Sequence, residues 1–312
     1  MGSQIKAQVD KLLTNVSLQV PSQGLVADEV LPKLVVDQYT GLIGKFGEEH
    51  LRAENDLGGG RHEFRRVDPI DYKAGHGFSI EDHGLEDLVT KRDLKNIEDP
   101  FDAESDKVTG LTQKVLISKE IKIAALMTST AVLTKNVTLS GTSQFSDYNN
   151  SKPLTVFKNA HNSHITELGI MANSAVMSLQ TFNTLKYHPE ILEKLGYTNV
   201  RAGLITQEEL ARAMDIENLM IASGIVNNAK KGQAKTIGSI WGKDIVFYFK
   251  PQGPAKGQIS LGYKLNLRGE ESRQVRKYYI DNPGATAIIV EESYDYQITM
   301  PEAGYLIKNA IA

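Results

Sequence analysis

The stretch that decides the fold is FDAESDKVTGLTQKVLISKEIKIAALMTS, residues 101–129. Pro100 precedes it, and Asp102 and Ser105 are residue types that cap helix starts. Apolar residues recur at helical spacing and form a face that shifts along the stretch: Val108, Leu111 and Val115, then Ile117, Ile121, Ala124 and Ala125. The pattern predicts one helix, which spans roughly 35–40 Å at a rise of ~1.5 Å per residue. This exceeds what packing inside a small domain needs, so we expect a strut.

Composition excludes several classes of protein. The 312 residues are 41% apolar and carry a formal charge of −3, which is typical of one large or two modest globular domains. The absence of cysteine excludes disulfides, thiolate catalysis and cysteine-ligated metals. No apolar run approaches ~18 residues and the N-terminus has no signal-peptide core, so we expect no membrane contact and a cytoplasmic location. The negative charge argues against a surface built to hold nucleic acid, although a local basic face remains open.

Two extended segments precede the helix. Residues 1–47 hold short apolar clusters separated by prolines and glycines, so we expect an N-terminal arm that lies across another surface, such as a neighbouring subunit. Residues 48–92 are charged and glycine-rich, with alternating stretches at 62–67 and 78–80. This alternation predicts a long projecting hairpin, which needs a surface to lie on because an isolated hairpin is marginal in water. A mobile surface loop is the alternative.

Helical patterns follow the strut. Residues 153–164 predict a helix. The strand-like ELGIMAN ends at Asn173 and Ser174, which are caps for a helix over 175–188. A further short helix begins at Pro189. Thr206 and Glu209, three residues apart, form the signature of a capping box.

Strand patterns complete the chain. Those at 218–223, 235–250 and 258–267 fit a compact domain with a central sheet over residues 166–281. Alternating segments at 272–280, 285–300 and 303–311 predict a ribbon packed under the strut. A second domain would therefore form from segments that are distant in sequence.

Candidate chemical motifs are incomplete. GLIGKF at 41–46 has the wrong glycine spacing for a phosphate loop and places Phe46 where a hydroxyl is needed. His161 and His164 would share a helix face, but no third ligand lies at metal-binding spacing. Carboxylate pairs occur at 208–209 and 270–271, and neighbours on a helix point in different directions. We therefore predict no catalytic, cofactor-binding or metal-binding residue.

In their order along the chain, several segments resemble the major capsid proteins of tailed bacteriophages, which share the Johnson fold with encapsulin shells. The segments are ADEVLPKLVVD (27–37), EDHGLED (81–87), the strut, LSGTSQFSDYNNSKP (139–153), KYHPEILEKLGYT (186–198), ITQEELARAM (205–214), VNNAKKGQA (226–234), IWGKD (240–244) and PEAGYLIKNAI (301–311). Each is weak alone, whereas their shared order is a strong signal.

The resemblance implies an α+β subunit in five parts. These are an N-terminal arm (1–47), an extended loop (48–92), a peripheral domain with the spine helix (93–165), an axial domain (166–281) and a return to the peripheral domain (282–312). It also implies assembly into pentamers and hexamers of an icosahedral shell around double-stranded DNA, without enzyme activity. The alternatives are an encapsulin-like compartment around an enzyme cargo and an enzyme with a sheet-edge active site.

Partners are also implied by the resemblance. We expect copies of the chain itself, a portal, DNA held on the inner face without sequence-specific contacts, and a decoration protein in some shells. Because the chain begins at Met1, no removed pro-segment is visible and we expect a separate scaffolding protein. Shell expansion would need pivoting of the arm and hairpin, with Gly58–Gly60, Gly75 and Gly77 as hinge candidates.

We assign no residues to two further properties of the family, crosslinking between subunits and contact with DNA. One branch of the family joins a loop lysine to a neighbour's asparagine with help from a glutamate. Residues of those types are Lys73, Asn266, Asn282, Glu270 and Glu271, and because no motif selects them we expect no crosslink. Basic residues that could contact DNA are Arg65, Arg66, Lys230, Lys231 and Lys235. We expect many of them to pair with acids on adjacent subunits instead.

Overall fold

Helices and strands are mixed along the chain, as in an α+β fold. The computed structural model describes residues 7–22, 24–45, 71–90, 92, 100–196, 205–230, 232–253, 258–270, 272–281 and 284–312. The helices are α1 (Lys11–Gln19), α2 (Ala27–Val30), α3 (Pro100–Met127), α4 (Pro153–Leu168), α5 (Leu179–Lys186), α6 (Pro189–Lys194) and α7 (Gln207–Ala213).

The strands range from two to fourteen residues. They are β1 (Gln8–Val9), β2 (Lys33–Val36), β3 (Thr40–Lys45), β4 (Asp71–Ser79), β5 (Glu81–Thr90), β6 (Asn136–Thr138), β7 (Ser174–Ser178), β8 (Asn218–Ala222), β9 (Ile225–Asn227), β10 (Ile237–Ser239), β11 (Ile245–Tyr248), β12 (Gly262–Leu267), β13 (Gln274–Ile280), β14 (Ala285–Ile298) and β15 (Gly304–Lys308).

The predicted strut is helix α3, 28 residues long. Its N-terminal half buries Val108, Leu111 and Val115 against apolar residues of α1, β13 and β14. Its C-terminal half buries Ile123 and Met127 in a different core, together with residues of α2, β7 and β11. The helix therefore joins two hydrophobic cores, as its length predicts.

The predicted second face of α3 is wrong in part. Ile121 is 39% exposed, whereas Lys119 and Glu120 are buried. The buried stripe keeps its helical spacing from Val115 through Lys119 to Ile123. A reading based on hydrophobicity skips the charged residues, because their burial depends on partners that lie far away in sequence.

Two main sheets form the body of the molecule. One has six strands in the order β1-β13-β14-β12-β2, with β5 pairing to the other edge of β14. The other has five strands in the order β6-β15-β11-β7-β8 and is covered on one face by helices that include α4 and α6. The predicted ribbon of β13 and β14 is confirmed, with Gln274 opposite Glu291 and Ile280 opposite Ala285.

Several strand predictions need correction. Residues 167–173, expected to form a strand, end helix α4 at Leu168 and then continue outside any strand. Strand β12, expected in the axial sheet, pairs with β14 and β2, and β15, expected in the ribbon, pairs with β11 and β6. Residues 175–178, expected to open a helix, belong to the buried inner strand β7, and helix α5 begins only at Leu179. Local alternation identifies a strand, but the partner of that strand depends on long-range packing.

The arm also differs from expectation. Its described part lies on its own subunit, where β1 pairs with β13 and β2 pairs in parallel with β12. Asp10 caps the start of helix α1, and its carboxylate accepts hydrogen bonds from the backbone N–H groups of Leu12 and Leu13. Leu13 is buried in the core that includes the N-terminal half of α3. Residues 7–22 and 24–36 of the predicted arm (1–47) therefore pack on their own subunit, and a contact between the arm and a neighbour stays a prediction.

Candidate assembly site

Short helix α2 is held by two adjacent residues of the strut. The Glu120 carboxylate accepts a hydrogen bond of 2.7 Å from the backbone N–H of Ala27 and one of 2.5 Å from Trp241 Nε1. The Lys119 ammonium donates to Asp28 Oδ1 at 2.5 Å. Because Lys119 and Glu120 follow each other on α3, one turn of the strut fixes the arm through two opposite charges.

The Lys119 contact belongs to a four-charge cluster. Lys119 and Lys264 Nζ both lie 2.7 Å from Glu292 Oε1, and Lys264 also donates to Asp28 Oδ1 at 2.6 Å. The side chains of Lys119, Lys264 and Glu292 are at most 3% exposed, whereas that of Asp28 is 35% exposed. The two ammonium groups are balanced by two carboxylates, which is the condition for burying charge. One of the four charges comes from the arm.

Burial and charge act against each other in this cluster. Burial alone would raise the pKa of Asp28 and of Glu292, but the Lys119 and Lys264 ammonium groups lower the pKa of both carboxyls below the ordinary range. Burial, with repulsion from Lys264, lowers the pKa of Lys119 to about 8. Burial also raises the pKa of Glu120. The cluster is ionised at neutral pH, and Lys119 is its most easily neutralised member.

Backbone carbonyls of α2 are also occupied. Tyr296 Oη donates to the Ala27 carbonyl at 3.2 Å, and Tyr248 Oη donates to the Val30 carbonyl at 2.9 Å. Lys250 Nζ donates to the Glu29 carbonyl. A four-residue helix has no internal partners for these groups, so side chains from β11, β14 and the segment after β11 supply them. Helix α2 is thus held on the body of the subunit by specific polar contacts, which the sequence pattern did not reveal.

A hairpin is present next to the predicted extended loop, but its strands differ from those predicted: one of them, β3, comes from the segment assigned to the arm, and Gly75 and Gly77, expected at the turn, lie inside the other, β4. Strand β3 pairs antiparallel with β4, from Thr40 opposite Ser79 to Lys45 opposite Asp71. These strands pair with no other strand among the described residues. Leu42 on β3 is 61% exposed. The predicted strand at 62–67 and the hinge candidates Gly58–Gly60 lie outside the described residues.

At the base of this hairpin the chain passes almost directly from β4 into β5. Gly75 and Gly77 lie inside β4, and only Ile80 separates β4 from β5. Ile80 is buried, and its N–H donates to the carbonyl of Tyr39 at 2.8 Å. Phe78 and Ile80 pack with β2 and β12. The hairpin is therefore anchored at its base and presents Leu42 outward.

The candidate metal-binding and acid–base residues that the structure describes include several that make hydrogen bonds within the fold. His161 Nε2 contacts the Met214 carbonyl and His164 Nδ1 contacts the Ala160 carbonyl, both at 2.8 Å, and burial lowers the pKa of His164. No group of three or more histidine or carboxylate side chains within the described ranges is arranged to hold a metal ion. Glu209 closes the capping box with Thr206, as predicted.

Of the candidate crosslinking residues, the structure describes the side chains of Asn266 and Glu270. Asn266 is buried, and its amide donates to the Ser293 carbonyl at 3.2 Å, so a neighbour's lysine has no open path to it. Glu270 accepts a hydrogen bond from Ser293 Oγ at 3.0 Å. The Lys73 side chain, Glu271 and Asn282 lie outside the described part of the chain.

The predicted basic residues separate into two groups. Lys230 and Lys235 are exposed in the connection between β9 and β10. Arg65, Arg66 and Lys231 lie outside the residues that the structure describes. None of the described helices is both long enough and apolar enough to cross a bilayer.

Comparison with known proteins matches the chain over almost its entire length. It is 24% identical over 306 residues to the major capsid protein of Burkholderia phage BcepMu, covering 96% of this chain and 95% of that protein. It is also 24% identical over 309 residues to the major capsid protein of Pseudomonas phage JBD67, covering 97% of each. No family model matches the sequence.

Solved structures share the fold. A phage-related protein from Bordetella bronchiseptica RB50 superposes with a TM-score of 0.76 at 21% identity, covering 98% of each chain. The capsid structure of cyanophage P-SCSP1u gives a TM-score of 0.58 at 8% identity, over 91% of this chain and 88% of that one. The chain therefore has the α+β fold of phage capsid proteins, and its resemblance to tailed-phage major capsid proteins is confirmed over nearly its whole length.

Proposed function

We propose that this chain is the major capsid protein of a tailed phage, which assembles into the pentamers and hexamers of an icosahedral shell around double-stranded DNA. The observation that carries the proposal is coverage: two phage major capsid proteins match 95% and 97% of their own lengths. A match to one domain would leave the assembly role open. A match across arm, strut and both sheets supports the same role for the whole subunit.

The geometry supports assembly by head-to-tail contacts. The β3–β4 hairpin and the outward face of α1 present apolar side chains, among them Leu12, Leu18 and Leu42, each at least 46% exposed. Such residues favour burial against another chain. Because different surfaces would meet, the contacts are heterologous, and they close into rings when the rotation between subunits fits.

The β3–β4 hairpin lies across a neighbouring subunit in this proposal, while the arm stays on its own body. Shell expansion pivots this hairpin relative to the body of the subunit in this proposal. A scaffolding protein, a portal and, in some shells, a decoration protein are the expected partners. The shell is built in the host cytoplasm, and DNA rests on its inner wall without sequence-specific contacts.

The alternative, an encapsulin-like compartment, would enclose an enzyme instead of DNA. A virus-like particle from Pyrococcus furiosus shares the fold with a TM-score of 0.56 at 11% identity, but the curated relatives are phage capsid proteins. These relatives are structural proteins, and we propose no catalysis for this chain. An enzyme co-purifying inside the particles would favour the encapsulin-like alternative.

The test is expression of the chain alone and with a candidate scaffolding protein, followed by light scattering and negative-stain microscopy. We expect closed, uniform shells that contain no host enzyme. A chain that stays monomeric at every concentration, with and without scaffold, would contradict the proposal.

A further inference from the structure

The β9–β10 hairpin is a second projection, built independently of the extended hairpin. Its strands pair only with each other among the described strands, with Ile225 opposite Ser239 and Ile237 opposite Asn227. In this register Ile225 and Ile237 are diagonal neighbours on one face. They are 59% and 60% exposed. A polar hairpin in solution does not need two isoleucines on its surface.

The hairpin is rigid enough to act as a preformed knob. Asn227 Oδ1 accepts hydrogen bonds from the N–H groups of Ala229 at 3.1 Å and Thr236 at 2.9 Å. At the base, Ser223 and Gly224 N–H groups donate to the carbonyl of Gly24 at 2.9 and 3.0 Å. Gly24 has φ +71°, and a Cβ there would meet Ser223 Oγ at 1.7 Å, so only glycine fits. Preorganisation lowers the entropy cost of docking such a knob.

The charge of the hairpin has one sign. Residues 224–242 contain three lysines, at 230, 231 and 235, and no Asp or Glu. Lys230 and Lys235 are exposed. The partner surface must therefore offer carboxylates together with an apolar patch for the isoleucines.

A cleft elsewhere on the same subunit has this character. It encloses about 890 Å³ between α2, α7 and β8, the edge strand of the five-stranded sheet. Asp28 at its rim is paired with Lys119 and Lys264. The other charged groups of the lining are three carboxylates, from Glu29, Glu208 and Glu217, and two ammonium groups, from Lys33 and Lys250. Met220, which is half-buried, adds apolar surface, and the buried Leu31 and Leu219 form part of the cleft wall.

We infer that the β9–β10 hairpin of one subunit docks into the cleft of a neighbouring copy of this chain. Lysines at the tip meet Glu208 and Glu217, and the isoleucine face covers the apolar lining. The knob and the cleft are different surfaces, so the contact is head-to-tail and propagates around a ring. The inference rests on the proposed function, because it assigns one of the contacts that the shell requires. Exposed isoleucines favour a protein partner over nucleic acid, whose backbone offers the lysines charge but no apolar groove.

A charge-reversal pair tests the contact. Lys230→Glu with Lys235→Glu should reduce the assembled fraction about tenfold, since like charges would then face each other across the interface. Adding Glu208→Lys with Glu217→Lys should restore assembly. All four residues are exposed in the subunit, so the fold should be unaffected, and circular dichroism checks this. Lys152→Glu with Lys158→Glu, two exposed lysines on or beside α4, is the matched control and should assemble normally.

A disulfide trap gives an independent readout. The natural chain has no cysteine, so Gln233→Cys combined with Glu208→Cys should yield covalently linked subunits in oxidised particles, while each single variant stays uncrosslinked. Wild-type failure to assemble would defeat the proposed function. Wild-type assembly with normal assembly of the Lys230/Lys235 variant, or without rescue, would overturn the docking inference alone. Normal shells that lose only DNA binding would assign the hairpin to nucleic acid and also overturn it.

Discussion

The docked arm and the two projecting hairpins show how differently one chain can treat its extended segments. Helix α2 is bound through charges and backbone hydrogen bonds from α3, β11 and β14, all inside the subunit. The β3–β4 and β9–β10 hairpins pair only with themselves among the described strands and present Leu42, Ile225 and Ile237 outward. Helix α2 is held within one subunit, whereas the hairpins carry surfaces that only another chain would bury.

The largest effect should come from removing a buried charge of the arm cluster. Lys119→Ala leaves Asp28 and Glu292 sharing a single ammonium group, and breaking a buried pair costs about 3–5 kcal/mol of unfolding free energy. Urea unfolding measures it. Lys122→Ala, an exposed lysine one turn away, is the control and should cost less than about 1 kcal/mol. Equal costs for the two variants would show that the cluster is not a special contact.

Asp28→Asn should have a smaller and more local effect. The partly exposed Asp28 is the only arm residue in the cluster, and its neutralisation leaves two lysines with one carboxylate. We expect a loss of about 2 kcal/mol and faster hydrogen exchange at residues 27–30, while α3 stays protected. Glu29→Gln, the adjacent acid outside the cluster, serves as the comparison. Unchanged hydrogen exchange at α2 in the Asp28→Asn variant would show that the charge cluster does not hold α2 in place.

Acid should weaken the arm region before it affects the hairpins. The pKa values of Asp28 and Glu292 are lowered in the folded chain, so below about pH 4.5 the unfolded chain takes up protons that the folded chain does not. Stability from this source is complete above that pH and is lost as the pH falls further. Unfolding free energies between pH 3 and 6 should therefore fall less steeply in Asp28→Asn than in wild type. Parallel plots of unfolding free energy against pH for the two proteins would show that Asp28 does not contribute to the loss of stability in acid.

The smallest effect on the subunit should come from the extended hairpin. Leu42→Ser removes an exposed apolar side chain and should change unfolding free energy by less than about 0.5 kcal/mol. Assembly should nevertheless weaken measurably, because this side chain is buried only between subunits in our proposal. Sedimentation of particles against free subunits measures it. Leu12→Ser on α1 tests whether the outward face of the arm contributes as well.

Local patterns predicted a large share of this fold. Helix α3, the β13–β14 ribbon and the capping box at Thr206 and Glu209 all follow from spacing that is visible within a few residues, whereas the β3–β4 hairpin pairs segments other than those predicted. Strand β7 was missed because the short run SAVMS, with serine at both ends, continues into the helical pattern of α5. Strands β12 and β15 were recognised but assigned to the wrong sheets, since the choice of partner is a long-range property.

The arm-docking residues were missed for a related reason. Lys119 and Glu120 occupy buried positions on α3, but they carry charges, and a search for apolar faces passes over them. The available signal was positional, because they fall between Val115 and Ile123 at the spacing of the buried stripe. Their partners Asp28, Lys264 and Glu292 lie far away in sequence, so only the folded chain shows that the charges balance.

Hydrogen exchange on free subunits and on assembled particles tests the contrast between arm and hairpins most directly. Our account predicts that residues 27–30 exchange at the same rate in both states, whereas residues 40–45, 71–79 and 225–239 exchange more slowly in particles than in free subunits. Hairpins whose exchange does not slow on assembly, or an α2 whose exchange slows as much as theirs, would contradict it.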